Sequence, residues 1–205
     1  MFAVAFEVLP HPETRQSYLD TAKTLRPILE AIDGFLDIDR YASTTRPGWM
    51  LSLSFWRDEA ALVRWRAQER HHLAQVDGRA RIFADYRIRV CQIVFDEEID
   101  QPPRTPARRT AYRDPGREPP RFLSFVEGVG AGRAAAARGE MFDSIYHPGK
   151  TLLVGEHATE ANTPSLGDAL RGLERAPATP PRLRLGEVER DYRLRVRDDA
   201  PQFME

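Results

Sequence analysis

The strongest constraint in this sequence is an internal repeat. Arg46–Leu53 (RPGWMLSL) recurs 101 residues later as His147–Val154 (HPGKTLLV). Further along, Asp85–Val90 (DYRIRV) and Asp191–Val196 (DYRLRV) agree at five of six positions. Because internal similarity of this kind is the signature of a repeated structural unit, it predicts a chain made of two related folds.

The two copies differ in length. Glu7 lies 39 residues before Arg46, whereas the corresponding Glu127 lies 20 residues before His147. The second copy is therefore shorter by 19 residues between its first strand and its hairpin. We expect this copy to be degenerate, to lack most of its first helix and to keep Gly128–Glu140 as the remnant.

A segment rich in proline and arginine separates the copies. Residues 100–120 contain six prolines and five arginines, a composition that neither a helix nor a central strand tolerates. We therefore predict a first domain over residues 1–99, a linker over 100–120, and a second, degenerate domain over 121–205.

Hydrophobic periodicity and turn residues predict the elements of each copy. Asp58 is a suitable N-cap for the second helix of the first copy, and Gly78 ends that helix. The order in the first copy is strand, helix, strand, strand, helix, strand, which is ferredoxin-like. The first copy is predicted to have strands at 2–9, 35–43, 50–56 and 85–95 and helices at about 13–32 and 58–76. The second is predicted to have a strand at 122–127, a short helix at about 165–173 and a proline-rich loop at 176–181.

Composition and charge exclude several classes of protein. The 30 basic and 31 acidic side chains leave a net charge of -1, which provides no electrostatic footprint for nucleic acid or an anionic membrane. One cysteine, Cys91, allows neither an internal disulfide nor a thiolate metal cluster. No apolar run approaches the ~18 residues of a membrane span, and the N-terminus, with Glu7, is unlike a secretory signal. We therefore expect a cytoplasmic protein that binds neither nucleic acid nor membranes.

One string of residues in the first copy identifies a family resemblance. LSLSFWRDEA at 51–60 is followed by Trp65, by HHLAQ at 71–75 and by DYRIRV at 85–90. This string resembles the antibiotic biosynthesis monooxygenase family over roughly residues 1–96, and the second half resembles the family through the duplication. The resemblance implies a dimeric α+β barrel, in which the sheets of two ferredoxin-like units face each other and each unit holds a pocket between sheet and helices.

The duplication suggests how this chain would build such a barrel. We expect two ferredoxin-like repeats that pack within one chain as a pseudo-dimer of the dimeric α+β barrel type, because an unpaired second sheet would expose an apolar face. A homodimer of these pseudo-dimeric chains is a further expectation, since one pseudo-dimer can leave strand edges uncovered.

The candidate substrate-binding residues are Trp56, Trp65, Arg79 and Phe83. Trp56 ends a strand and Trp65 follows nine residues later on a helix, so both indoles can face the space between sheet and helix. Two indoles make a flat-sided apolar pocket that suits a planar aromatic molecule, although both can instead be ordinary core residues. Arg79 and Phe83 are expected at the mouth of this pocket.

The candidate catalytic residues are His71 and His72. Neighbouring residues of a helix point about 100° apart, so one of the two at most faces the pocket. His72 follows Trp65 by seven residues and shares its predicted face, whereas His71 occupies the position at which sequences that resemble this one also carry histidine. A histidine base could remove an acidic proton from a hydroxyaromatic, whose anion then reacts with molecular oxygen. Either histidine can also be an exposed or core-edge residue without a catalytic task.

No cofactor or metal is expected. The family that this sequence resembles includes a haem-degrading branch, in which the iron-binding histidine falls at the position of Gln75 and an asparagine is expected near Glu7. Because this chain has neither residue at these places, haem is not expected. The histidines are scattered, and Gly128–Gly132 lacks the third glycine of a dinucleotide loop.

Two functions follow from these observations. The first is a cofactor-independent monooxygenase that acts with molecular oxygen on a small aromatic or quinol-type substrate. The alternative is a non-catalytic protein of the same fold that binds a small molecule or serves in stress. A histidine that points into the pocket would favour the enzyme.

Overall fold

The computed structural model describes residues 1–98, 122–128, 139–160, 181–196 and 200. Within these residues the chain forms eight β-strands and three α-helices, so the predicted α+β class is confirmed. The predicted linker, the glycine-rich remnant at 129–138 and the predicted short helix at 165–173 lie outside the described residues. The division of the chain into domains at 1–99 and 121–205 therefore stays a prediction.

Most elements of the first copy begin and end close to their predicted bounds. Strands β2, β3 and β5 have the bounds that the sequence pattern predicts, and a 3₁₀ turn at Pro12–Thr14 leads into the first helix. The strands are β1 (Phe2–Pro10), β2 (Phe35–Ser43), β3 (Met50–Trp56), β4 (Phe83–Glu98), β5 (Phe122–Glu127), β6 (Glu140–Ser144), β7 (Thr151–His157) and β8 (Arg182–Arg193). The helices are α1 (Arg15–Glu30), α2 (Glu59–Ala67) and α3 (Glu69–Asp77).

The predicted continuous helix over 58–76 is wrong, because the chain breaks it at Gln68. Asp58 caps α2 as expected, and its carboxylate accepts a hydrogen bond from the Ala61 backbone N–H at 2.7 Å. Gln68 then adopts an extended backbone, with φ -63° and ψ 126°. Its side-chain oxygen accepts from the His71 backbone N–H at 2.8 Å, so Gln68 is the N-cap of α3. The break changes which face of the helical layer each histidine occupies.

The chain divides into two compact units, of which the first contains residues 1–40, 46–90 and 190–205. In this unit β1 pairs antiparallel with β3, with Ala5 opposite Leu53. The strands follow the order β4-β1-β3-β2, which is the order of a ferredoxin-like sheet. Helices α1 and α2 and the four-strand sheet all contribute to one hydrophobic core. Its buried members are Leu29, Ile38, Trp56, Ala61, Leu62 and Val90.

The second unit contains residues 41–45 and 91–189. Here β5 pairs antiparallel with both β7 and β8, and β6 pairs with β7. The order β8-β5-β7-β6 repeats the order of the first unit. Its strands are rich in Leu, Val and Phe, and most of their residues are buried, Phe125 and Leu152 completely.

In each unit an arginine and an aspartate of β4 and β8 form a bidentate ion pair. Arg87 donates to Asp191 at 3.0 and 2.7 Å in the first unit, and Arg182 donates to Asp96 at 2.6 and 2.7 Å in the second. Arg87 on β4 therefore corresponds to Arg182 on β8. The repeated DYR motifs occupy different places, because the motif at 85–90 lies near the start of β4 and Asp191 near the end of β8.

Candidate active site

A cavity of about 230 Å³ lies in the first unit between the sheet and the helices. Its floor is one face of the sheet. Successive side chains of a strand point to opposite faces. Apart from Phe83 at the start of β4, the strand residues that line the cavity are all even-numbered, so each strand presents a single face. They include Val4 and Phe6 of β1, Ser52 and Ser54 of β3, and Ile88 and Val90 of β4.

The helical layer forms the roof of the cavity. Tyr18, Ala22, Leu25 and Leu29 of α1 line the cavity, and their spacing of three to four residues places them on one helix face. All of them except Leu25 are buried. Phe83 packs edge-on against Tyr18, with ring centroids 5.4 Å apart, and against Phe6 at 5.6 Å. Aromatic contacts therefore join the roof to the floor at this end.

Both predicted tryptophans line the cavity, and Trp56 also belongs to the core. Trp56 is 1% exposed and packs edge-on against Phe35, with centroids 5.5 Å apart. Its indole Nε1–H donates to the Ser54 hydroxyl oxygen at 2.9 Å, which satisfies the polar atom inside the apolar layer. Trp65 lies on α2 and is half-buried at the cavity.

The imidazole of His71 stacks on the indole of Trp65 and lines the same cavity. Its Nδ1 lies 2.9 Å from the Trp65 carbonyl oxygen. A carbonyl oxygen can only accept, so Nδ1 carries the hydrogen and the lone pair lies on Nε2. The side-chain nitrogen of Gln75 lies 3.1 Å from Nδ1 and 3.5 Å from Nε2. An amide nitrogen only donates, so in the tautomer that the Trp65 carbonyl selects, Nε2 is the ring atom that can accept from Gln75.

Burial sets the protonation state of His71. Removal from water disfavours the charged imidazolium and lowers the pKa of His71 to about 4. The hydrogen bond to the Trp65 carbonyl acts in the opposite direction, and the nearby His72 acts in the same direction as burial. The imidazole is therefore neutral at pH 7, with its lone pair on Nε2.

Five of the six predicted site residues line this cavity: Trp56, Trp65, His71, Arg79 and Phe83. His72 does not line it, although the predicted continuous helix placed His72 on the face of Trp65. The break at Gln68 rotates α3 relative to α2, which brings His71 onto the indole instead. The catalytic and binding roles of these residues stay predictions.

Sequence reasoning missed two further arginines at the cavity, Arg40 of β2 and Arg66 of α2. A signal for Arg40 was present, because it lies two residues from the apolar Ile38 on the same strand and so shares its face. An arginine on a core-facing strand position is unusual. Its position at this cavity is visible once the register of the sheet is known.

Among the parts of the chain that the structure describes, no group of three or more His, Cys, Asp or Glu side chains is arranged to hold a metal ion. No helix in those parts has the length and apolar character needed to cross a membrane.

Comparisons with known proteins agree on one family. The family model for antibiotic biosynthesis monooxygenase matches residues 1–76. A curated protein from Pyricularia oryzae, named jasmonate monooxygenase ABM, is 35% identical over 99% of this chain and 98% of its own length. Among solved structures, an aldoxime dehydratase in complex with butyraldoxime has a TM-score of 0.55, with 9% identity over 91% of this chain and 78% of that chain. At that identity the likeness shows a shared fold.

Proposed function

The chain belongs to the antibiotic biosynthesis monooxygenase family, and from that premise we propose that it is a monooxygenase that uses molecular oxygen, without metal, haem or flavin, on a small aromatic or quinol-type molecule. The observation that carries the proposal is the neutral imidazole of His71, stacked on Trp65 at the wall of the cavity.

His71 is the proposed base. Its Nδ1–H is held by the Trp65 carbonyl, which orients the ring and leaves Nε2 as the proton acceptor. The same hydrogen bond stabilises the imidazolium that forms when Nε2 takes a proton from the substrate. Positioned bases contribute roughly 10²–10⁴ to a rate, most when their pKa lies near the operating pH. Burial lowers the pKa of His71 to about 4 and weakens it as a proton acceptor, and the hydrogen bond to the Trp65 carbonyl partly offsets this effect.

The reaction balances without an external reductant. His71 takes a proton from an acidic ring C–H or O–H, and the resulting anion supplies electrons to O₂ and forms a C–O bond. A ring CH₂ and O₂ thus become a ring C=O and water, and the proton on His71 returns with the leaving oxygen. An apolar lining keeps water away from the anion, so the anion meets O₂ without a hydration shell and is more reactive.

The name of the fungal relative adds a second candidate substrate. That relative is called a jasmonate monooxygenase and matches this chain over nearly its whole length. We include jasmonate beside anthrones and hydroquinones as a molecule that this chain could oxidise.

The paired-repeat arrangement is also part of the proposal. We propose that the two ferredoxin-like copies take the roles of the two subunits of a dimeric α+β barrel. The repeated strand order and the corresponding Arg–Asp ion pairs, one in each unit, support it. All residues that line the cavity belong to the first unit, so we expect one working site per chain.

Oxygen uptake with an anthrone, a hydroquinone and jasmonate tests the function. We expect His71→Ala to lower kcat by about 10²–10⁴ with at least one substrate. His72→Ala, whose side chain is off the cavity, is the matched control and should stay within about twofold. Reactions without protein correct for spontaneous oxidation.

Two outcomes would contradict the proposal. Equal rates for His71→Ala and wild type would remove His71 as the base. Binding of these molecules without oxygen uptake by the wild-type protein would favour the non-catalytic binding protein.

A further inference from the structure

Most of the charged side chains that line the cavity are positively charged. The ionised groups on its lining are Arg40, Arg66, Arg79 and Asp77, and His71 is neutral at pH 7. Asp77 forms an ion pair with Arg81 four residues later, so its charge is already balanced. The cavity therefore has an excess of guanidinium groups over carboxylates.

Arg40 lies on the sheet floor of this cavity and is half-buried. Its Nε is buried and has no hydrogen-bond partner within the described residues. Its backbone N–H donates to Asp39 at 2.7 Å, but its guanidinium forms no hydrogen bond or ion pair with any residue that the structure describes. Buried arginines elsewhere in this chain are paired: Arg89 with Glu7, and Arg184 with Glu127.

Arg40 as a whole is half-buried, but its Nε is enclosed and has lost hydration without gaining a hydrogen bond from the described residues, which is unfavourable. An anion that enters the cavity removes this penalty. The planar fork of arginine matches a carboxylate, which can accept two parallel hydrogen bonds from it. The hydroxyl of Ser52, on the same floor, is a further donor at the cavity.

We infer that the ligand of this cavity carries a carboxylate and that Arg40 binds it. This inference rests on the proposed function for the identity of the site and narrows the substrate class to small acids with an apolar ring. Arg40 is the residue that determines specificity for the acid, while the apolar lining and the Trp65–His71 pair receive the rest of the molecule.

Binding of a matched pair of probes tests this inference. Naphthalene-2-carboxylate and naphthalene-2-carboxamide have nearly the same shape and differ in charge. By titration calorimetry, we expect the wild-type protein to bind the carboxylate about tenfold to hundredfold more tightly than the amide. Arg40→Met should abolish this preference, and Arg40→Lys should restore part of it, because lysine keeps the charge without the fork.

Thermal unfolding supplies a second readout, which a purely structural role of Arg40 would not produce. Without ligand, Arg40→Met should unfold at about the same temperature as the wild type or higher, since the change removes a half-buried cation whose enclosed Nε has no hydrogen-bond partner among the described residues. The carboxylate should raise the Tm of the wild type and leave that of Arg40→Met unchanged. Arg70→Met, an exposed change on α3, is the control and should behave as wild type in both assays.

Each contrary result has a definite meaning. Equal affinity of the wild type for carboxylate and amide would overturn the inference, and so would an undiminished preference in Arg40→Met. Loss of the preference in Arg79→Met with Arg40→Met unaffected would overturn the assignment to Arg40. Because binding is measured without turnover, a failed oxygen-uptake assay together with a clear carboxylate preference would count against the proposed function alone.

Discussion

The imidazole of His71 lies on the indole of Trp65, with ring centroids 4.0 Å apart and planes 14° from parallel. The Trp65 carbonyl oxygen is also the partner of the His71 Nδ1, at 2.9 Å, although the two residues are six positions apart. An unbroken α-helix would advance about 9 Å over six residues and could not close this contact. The extended Gln68 between α2 and α3 therefore makes the pair possible.

The low pKa of His71 predicts a pH dependence of stability. The pKa of His71 is about 4 in the folded protein, against about 6.5 for an ordinary imidazole, so the unfolded chain takes up the proton first as pH falls. Stability from the neutral imidazole is thus fully present above about pH 6.5 and is lost between pH 6.5 and 4, by on the order of 3 kcal/mol at most.

Urea denaturation of the wild type and His71→Phe at pH 7, 5.5 and 4.5 measures this effect. Phenylalanine keeps an aromatic ring beside Trp65 and does not titrate. We expect the stability of the wild type relative to the variant to fall as the pH decreases. Titrating carboxylates are common to both proteins and cancel. Parallel pH curves would show that His71 is not buried as a neutral base.

Among the described carboxylates of the first unit, replacement of Glu7 is predicted to cost the most free energy of unfolding. Glu7 is 5% exposed and forms ion pairs with Arg89, which is 4% exposed, and with Arg46 at 2.5 Å. Glu7→Gln removes the charge that faces both guanidinium groups, so we expect a loss of about 3–5 kcal/mol in the free energy of unfolding.

The second unit offers the matched control for Glu7. Glu127 pairs with Arg184 at 3.1 Å and with Lys150 at 3.9 Å in a more exposed setting. Glu127→Gln should therefore cost less than Glu7→Gln in urea denaturation. A larger loss for Glu127→Gln would contradict this ranking.

The lack of a side chain at Gly78 is predicted to leave the space that the Phe83 ring needs at the aromatic end of the cavity. A Cβ at this position would lie 2.6 Å from Cε2 of Phe83, whose ring is packed against Phe6 and Tyr18. Gly78→Ala must therefore displace the Phe83 ring, and we expect a loss of about 1–3 kcal/mol.

A double-mutant cycle separates this clash from a general effect of alanine. Phe83→Leu shortens the side chain and removes the atom in conflict. The combined variant Gly78→Ala/Phe83→Leu should lose less stability than the sum of the two single changes. Additive losses would show that the Phe83 ring is not the contact that requires glycine.

Local patterns predicted the strands well. β2, β3 and β5 have their predicted bounds because alternating side chains and turn residues such as Gly48 are signals within a few residues of each strand. The prediction that Trp56, Trp65, Arg79 and Phe83 come near one pocket used the same local reasoning together with the family resemblance, and all four line the cavity.

The helix break and the choice between the two histidines could not be predicted in this way. Glutamine is a good helix former, so nothing in its own propensity marks Gln68 as a break. Its extended backbone accompanies contacts that the chain makes after folding, among them the stack of His71 on Trp65. The predicted face of His72 was wrong because it assumed an unbroken helix.

By itself the sequence determined the α+β class, the bounds of several strands and the family, because periodicity, turn residues and short motifs are properties of neighbouring positions along the chain. The duplication stays a prediction. The tertiary structure decided that His71 rather than His72 lines the cavity and that Arg40 lies on its floor with an Nε that has no partner among the described residues. Both depend on how the helices pack on the sheet, where burial changes the pKa of an imidazole and encloses one nitrogen of a guanidinium.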